Sequence, residues 1–242
     1  MSKDPEFGLN NLPGTARWVM SPWVSYMNKL LAKLRSPVDI KKRFNHREDM
    51  VSLEQIGNFE LLITDLIDRD VQGDFVELGC YSGSTSAVFG SLLHRLAPER
   101  RFLVYDRFDM ELGSTRNIRS QFEQRMKDCG LPMPIVHEGD LFALLPAQLP
   151  ASIAFAHIDL GTGGGVYQHA ELLVHSLKHV YPRLSSGAIL ILMDYHVPGV
   201  TINGNDSNPA VRLVADTFFE DKPEKMRVLY GGPCSHAYIR KN

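Results

Sequence analysis

From Asp74 to Met193 the chain alternates short apolar runs with segments of helical period, and an acidic residue stands at or just beyond the end of each run. Strand, helix, strand in strict succession requires crossover connections, which build a parallel sheet. Strands are expected at 75–78, 102–105, 135–137, 153–158 and 188–193, with helices at 84–96, 115–128 and 166–180 and a short turn after Asp140. A further helix at 209–219 precedes strands at 226–229 and 237–240, and Gly231-Gly232-Pro233 between these two suits an antiparallel turn. The expected fold class is therefore α/β: a mostly parallel seven-stranded sheet with a C-terminal antiparallel hairpin.

An N-terminal helical segment, 1–70, precedes the sheet domain, 71–242. Ser21-Pro22 suits an N-cap and first helical position, and Trp23, Met27, Leu30, Leu31 and Leu34 follow on one face until Ser36-Pro37 ends the helix. A second helix is expected at 52–67, with Leu53, Ile56, Phe59, Leu62, Ile63 and Leu66 as its stripe and Ser52-Leu53-Glu54-Gln55 as a capping box. The segment is expected to act as a lid or an oligomer contact, with a homo-oligomer the expected state. The cluster Lys41-Lys42-Arg43 reads as a solvated face or linker, with an anion site the other reading.

A formal charge of −2 over 242 residues leaves no basic footprint for nucleic acid. Cys80, Cys129 and Cys234 are too scattered for a zinc cage or disulfide framework, which points to a reducing compartment. No apolar run is long enough to span a bilayer and the first residues lack a signal peptide's apolar region, so a cytoplasmic protein without a membrane partner is expected.

Ligands of open α/β sheets bind beyond the carboxyl ends of the strands, where the strand order switches. The first strand ends in Glu77-Leu78-Gly79-Cys80-Tyr81-Ser82-Gly83, a glycine turn into a helix. Such a turn suits either a nucleotide-type cofactor or an ordinary strand-to-helix connection. Asp106 ends the second strand at a distance that suits a carboxylate on a ribose diol. Glu138-Gly139-Asp140, Asp159 and Asp194 end the next three. A nicotinamide site would show G-x-G-x-x-G, whereas the spacing here is Gly79-x-x-x-Gly83 with Glu77 before it.

That E-x-G-x-x-x-G pattern resembles motif I of S-adenosylmethionine-dependent methyltransferases, and the strand layout resembles the Rossmann-like class I methyltransferase fold. The resemblance implies a cofactor site of Glu77, Gly79, Tyr81, Ser82, Gly83, Asp106, Gly139, Asp140 and Asp159. Asp106 would take the ribose hydroxyls and Asp140 the adenine amino group. Phe75-Val76-Glu77-Leu78-Gly79, Val104-Tyr105-Asp106-Arg107-Phe108, Tyr181-Pro182-Arg183-Leu184 and Met193-Asp194-Tyr195 are similar to the macrocin O-methyltransferase (TylF-like) family, whose members methylate sugar hydroxyls using magnesium. Two of that family's carboxylates are absent: D-x-D becomes Asp159-Leu160-Gly161, and D-D-Y becomes Met193-Asp194-Tyr195. Asp159 and Asp194 match the remaining metal positions, and Mg2+ is the second ligand so implied.

Methyl transfer to an alcohol needs in-line alignment and removal of a proton. The expected catalytic residues are His196, directly after Asp194-Tyr195, and Asp159. His157, inside an apolar strand, reads as a satisfied core histidine, and His169 as a helix-surface residue. The turn-rich segment 198–208 is a candidate loop over the site that could supply polar groups to a substrate, and the insert 161–165 reads either as a loop near the substrate or as a flexible approach to the next helix. The leading function is methyl transfer to a hydroxyl of a small metabolite, with a natural-product sugar as the acceptor. The alternatives are a metal-independent O- or N-methyltransferase, a cofactor-binding protein without catalysis and, weakest, a nicotinamide oxidoreductase.

Overall fold

The structure, a computed structural model, describes residues 22–36, 51–109, 117–161, 165–201, 208–231 and 234–242. Ser21, the 41–43 basic cluster, most of the 161–165 insert, the 202–207 part of the long loop and Gly232-Pro233 lie outside the described residues. The elements run α1 (Pro22–Lys33), α2 (Leu53–Asp68), β1 (Asp74–Leu78), α3 (Ser84–Leu96), β2 (Phe102–Asp106), α4 (Ile118–Asp128), β3 (Ile135–Glu138) and α5 (Leu141–Leu144). They continue β4 (Ile153–Ile158), α6 (Val166–Val180), a 3-10 turn (Tyr181–Arg183), β5 (Leu184–Met193), α7 (Ala210–Phe218), β6 (Arg227–Leu229) and β7 (His236–Arg240). The seven strands form one sheet in the order β3-β2-β1-β4-β5-β7-β6. Neighbours among β1 to β5 are parallel, and β7 runs antiparallel to both β5 and β6.

β1 and β4 sit mid-sheet and are buried on both faces, which is why they read as near-continuous apolar runs. Phe75 stacks on Phe155 at 5.2 Å, and Phe89 of α3 meets Phe155 edge-on at 5.0 Å, pinning that helix to the sheet. α2 carries the expected capping box, with the Gln55 amide donating to Ser52 Oγ at 3.1 Å and the Ser52 amide to Gln55 Oε1 at 2.9 Å. Ile56, Phe59, Ile63 and Leu66 of its stripe are buried in the same core as the sheet. Leu53 and Leu62 are only half-buried, because the buried face takes in Gln55 and Glu60, which bond Met193 Sδ and Arg95. α1 leaves Trp23, Tyr26, Leu30 and Leu34 exposed.

β5 begins at Leu184, earlier than its apolar run. Ser185, Ser186 and Gly187 carry no strand pattern. They are held by Ser152 Oγ, 2.7 Å from Ser185 Oγ, and by the Gly187 amide donating to the Lys241 carbonyl at 2.8 Å. Asn117 caps α4 by accepting from the Ser120 amide, and the expected start of that helix at 115 lies outside the described residues. Among the described residues no helix is long and apolar enough to cross a membrane.

Candidate active site

β1 lies between β2 and β4, so its crossover leaves toward one side and that of β4 toward the other, which opens a crevice at their carboxyl ends. The loop from β1 into α3 is drawn tight there. Gly79 has φ +81°, its amide donates to the Tyr105 carbonyl at 2.8 Å, and a Cβ on it would stand 1.9 Å from the Asp159 carbonyl oxygen. Only glycine permits β1 and β4 to approach so closely. Gly83, at φ +82°, opens α3 without a side-chain cap, and a Cβ there would meet the Phe122 ring at 2.7 Å. Arg125 Nε holds the loop from α4 by donating to the Ser82 carbonyl at 2.9 Å. The loop's own amides close on Tyr105, Asp106 and Cys80, and what it leaves at the crevice rim is the uncapped N-terminus of α3.

Asp106 ends β2 beneath this loop. Its Oδ2 accepts from the Cys80 and Tyr81 amides, both at 2.8 Å, and its Oδ1 from the Phe108 amide at 2.7 Å. The Cys80 thiol bonds the same carboxylate, so its roughly four acceptor sites are largely taken. Gly139 donates to the Asp106 carbonyl at 3.0 Å, and Asp140 caps α5 through the Phe142 amide at 2.9 Å. Asp140 is exposed, and its Oδ2 is unengaged among the described residues.

Glu77 lies deeper than a ligand contact requires. Its side chain is wholly buried, with Oε2 accepting from Ser86 Oγ of α3 and Oε1 3.2 Å from His157 Nδ1 at an angle that makes no hydrogen bond. It reaches the loop through Ser86 of α3. His157 is a core residue, ringed edge-on by Phe59 and Phe89, but both of its nitrogens lack hydrogen-bond partners, so it is not the satisfied histidine expected.

Asp159 and Asp194 end β4 and β5 at the same rim. Burial pushes the Asp159 carboxyl well above the ordinary carboxylate range, and the charges of Asp194, Glu77 and Asp106 push it further. Asp194 holds a left-handed backbone, φ +60°, and its Oδ2 accepts from the Asn208 amide group. A non-glycine residue kept there stores strain of a kind concentrated at functional sites. Tyr195 donates its hydroxyl to Asp216 of α7. His196 Nδ1 is 2.6 Å from Thr201 Oγ1, which also takes the Val197 amide and faces the Val197 carbonyl, each at 3.0 Å. One hydroxyl proton satisfies all three only if it goes to that carbonyl. His196 then donates from Nδ1 to that hydroxyl.

Two further groups enter the site that sequence reasoning missed or placed elsewhere, His169 and Cys234. His169, expected on a helix surface, is 3% exposed. Its Nδ1 lacks a partner, the Leu160 backbone lies beside its ring, and Asp194 acts on it electrostatically. The buried stripe of α6, His169, Leu173, Leu177 and Val180, holds to helical spacing, so extending it backward from Leu173 would have located His169. Cys234 lies near the two aspartates: burial and the charges of Asp194, Asp159 and Glu54 push its thiol up to about 11. That position follows from topology, since His236 pairs with Met193 and the residues just before β7 share the rim of β5. Thr201 and Asn208 belong to the loop expected to supply polar groups.

The fold is the Rossmann-like methyltransferase fold. The O-methyltransferase NovP superimposes with a TM-score of 0.66 at 16% identity, over 97% of this chain and 96% of that one. CalS11, a TDP-rhamnose 3'-O-methyltransferase of calicheamicin biosynthesis, gives 0.55 at 20% identity over 93% and 98%. The S-adenosylhomocysteine-bound methyltransferase PaMTH1 of Podospora anserina gives 0.56 at 15% identity over 100% and 98%. No protein-family model and no curated protein sequence matches the chain. Likeness at these identities is likeness of fold.

The magnesium site implied by the sequence resemblance is not supported. Among the described residues no group of three or more His, Cys, Asp or Glu side chains is arranged to hold an ion. Gly161 and Met193 supply no oxygen ligand, and Asn208 already occupies one oxygen of Asp194. The donor set does not fit a resident divalent cation, and no step below is routed through one.

Proposed function

We propose that this chain transfers the methyl group of S-adenosylmethionine to a hydroxyl of a small metabolite, with a sugar of a natural product as the acceptor class. The observation that carries the reading is the gathering of Asp106, Asp159 and Asp194 at the carboxyl ends of β2, β4 and β5, beside a glycine loop that Asp106 holds by two amides. A rim of carboxylates favours a cation, and S-adenosylmethionine brings a sulfonium and an ammonium. The diphosphate of a dinucleotide would be repelled, and the glycine spacing already disfavours one.

In this reading Gly79, Tyr81, Ser82 and Gly83 shape the loop around the cofactor, and Glu77 braces it from within. Asp106 lies at the ribose hydroxyls, and Gly139-Asp140 lies at the adenine end. The acceptor hydroxyl lies over the ends of β4 and β5, where Asp159, His196 and His169 are the groups that can receive its proton. The donor set favours a reaction without magnesium. The sugar class is supported by the sequence likeness to macrocin O-methyltransferases and by the likeness in fold to a TDP-rhamnose methyltransferase. The N-terminal segment 1–70, with its exposed α1 face, serves as a lid or a contact between copies.

The test is transfer of radiolabel from methyl-labelled S-adenosylmethionine to a panel of nucleotide-activated and glycosidic sugars, beginning with TDP-rhamnose. Label in a methyl ether of the acceptor is expected. Saturable cofactor binding with no label in any hydroxylated acceptor would leave a cofactor-binding protein without catalysis.

A further inference from the structure

We propose that His169 is the catalytic base that takes the proton of the acceptor hydroxyl; this rests on the methyl-transfer reading above. His169 stands in the first turn of α6 and is nearly sealed from solvent, with the Leu160 backbone at the end of β4 beside its ring. Asp194, at the end of β5, acts on the ring from the other strand. The ring therefore stands at the rim where the acceptor must lie.

A buried polar atom without a partner is costly, on the order of 1–3 kcal/mol, and is rarely kept without a use. His169 Nδ1 is such an atom. Burial also holds the ring below its ordinary pKa, so near neutral pH it is an unprotonated base. Asp194 favours the imidazolium once it forms and is itself steadied by Asn208. A carboxylate that stabilises a histidine which gains a proton is a recurrent arrangement for general-base catalysis. The other two groups are less suited. The Asp159 carboxyl is held toward its protonated form, and His196 is only half-buried in a turn closed by Thr201.

The step balances without a co-reactant. An acceptor oxygen lone pair forms the new O–CH3 bond as the C–S bond breaks, its electron pair passing to sulfur to give neutral S-adenosylhomocysteine. The hydroxyl proton moves to the His169 ring, and the imidazolium later gives it to water.

His169→Ala and His169→Gln are compared with wild type in the label-transfer assay, using the sugar that wild type methylates best. A fall in kcat of about 100-fold or more is expected, with KM for the cofactor and its calorimetric affinity unchanged. Free imidazole should restore part of the His169→Ala rate, which a merely structural histidine would not allow. His169→Ala activity within threefold of wild type, or no recovery with imidazole in a folded variant, overturns the assignment. A wild type that methylates no sugar defeats the methyl-transfer reading itself. An acceptor-independent check uses protein labelled with 15N-histidine and saturated with S-adenosylmethionine. A neutral His169 ring at pH 7 whose 15N shifts move in Asp194→Asn is expected, and a protonated ring at that pH overturns the proposal.

Discussion

Replacing Gly79 by alanine tests whether the tight approach of the glycine loop to β4 holds the crevice together. Two penalties apply. The first is conformational: φ +81° lies where an L-residue is disfavoured by about 1–2 kcal/mol. The second is steric. The new Cβ would sit 1.9 Å from the Asp159 carbonyl oxygen, and both atoms are fixed to backbone, so no rotamer relieves the clash. Either β1 and β4 part or the loop is displaced, adding about 2–3 kcal/mol on the scale of overpacked interiors. The sum, about 3–5 kcal/mol, corresponds to a Tm lower by about 10 °C for a domain of this size.

Gly130→Ala isolates the first penalty. Gly130 also has positive φ, +65°, but its Cβ would meet nothing within 4 Å. It should lower Tm by only about 3 °C. Thermal unfolding of the two variants, followed by calorimetric titration with S-adenosylmethionine, gives the comparison. The loop amides of Cys80 and Tyr81 are set by the same contact, so Gly79→Ala should also lose measurable affinity. A Gly79→Ala protein as stable as Gly130→Ala and with wild-type cofactor affinity would refute the reasoning.

Burial, and secondarily His157, depress the His236 ring to about 4 from an ordinary value near 6.5, so the native state keeps it neutral while the unfolded chain takes up a proton. Its contribution is therefore complete above about pH 6.5 and disappears as pH falls toward 4, amounting to about 3 kcal/mol at full extent. Urea midpoints of wild type and His236→Gln at pH 7.5 and 4.5 should show a smaller acid loss in the variant; an equal loss would remove His236 from the cause. Exhaustive chelation should leave the label-transfer rate within about twofold, since the described carboxylates do not assemble a cation site. A rate abolished by chelation and restored by Mg2+ alone would return the ion to Asp159 and Asp194.

The strands were legible wherever burial was two-sided. β1 and β4 announce themselves because apolar residues dominate both runs, and the hairpin of β6 and β7 because turn residues separate two short runs. The first residues of β5 were not legible, since serines and a glycine joined there by tertiary hydrogen bonds have no local signature. At the rim, the sequence pointed to acidic residues but not to their partners. That Asp106 closes on two loop amides depends on the left-handed turn at Gly79 and Tyr81, which a residue string does not specify. Glu77 looks like a ligand contact in the string because depth below the rim is invisible there. His169 opens its helix beside a glycine-rich stretch, and only the stripe of Leu173, Leu177 and Val180 further along shows that its face is the buried one.

Calorimetric titration of the protein with S-adenosylmethionine and, separately, with NAD addresses the acidic crevice most directly. Saturable one-site binding of S-adenosylmethionine, sharply weakened in Asp106→Ala, with no heat from NAD, is the expected result. Binding of NAD with none of S-adenosylmethionine would contradict the proposed function and the base assignment together.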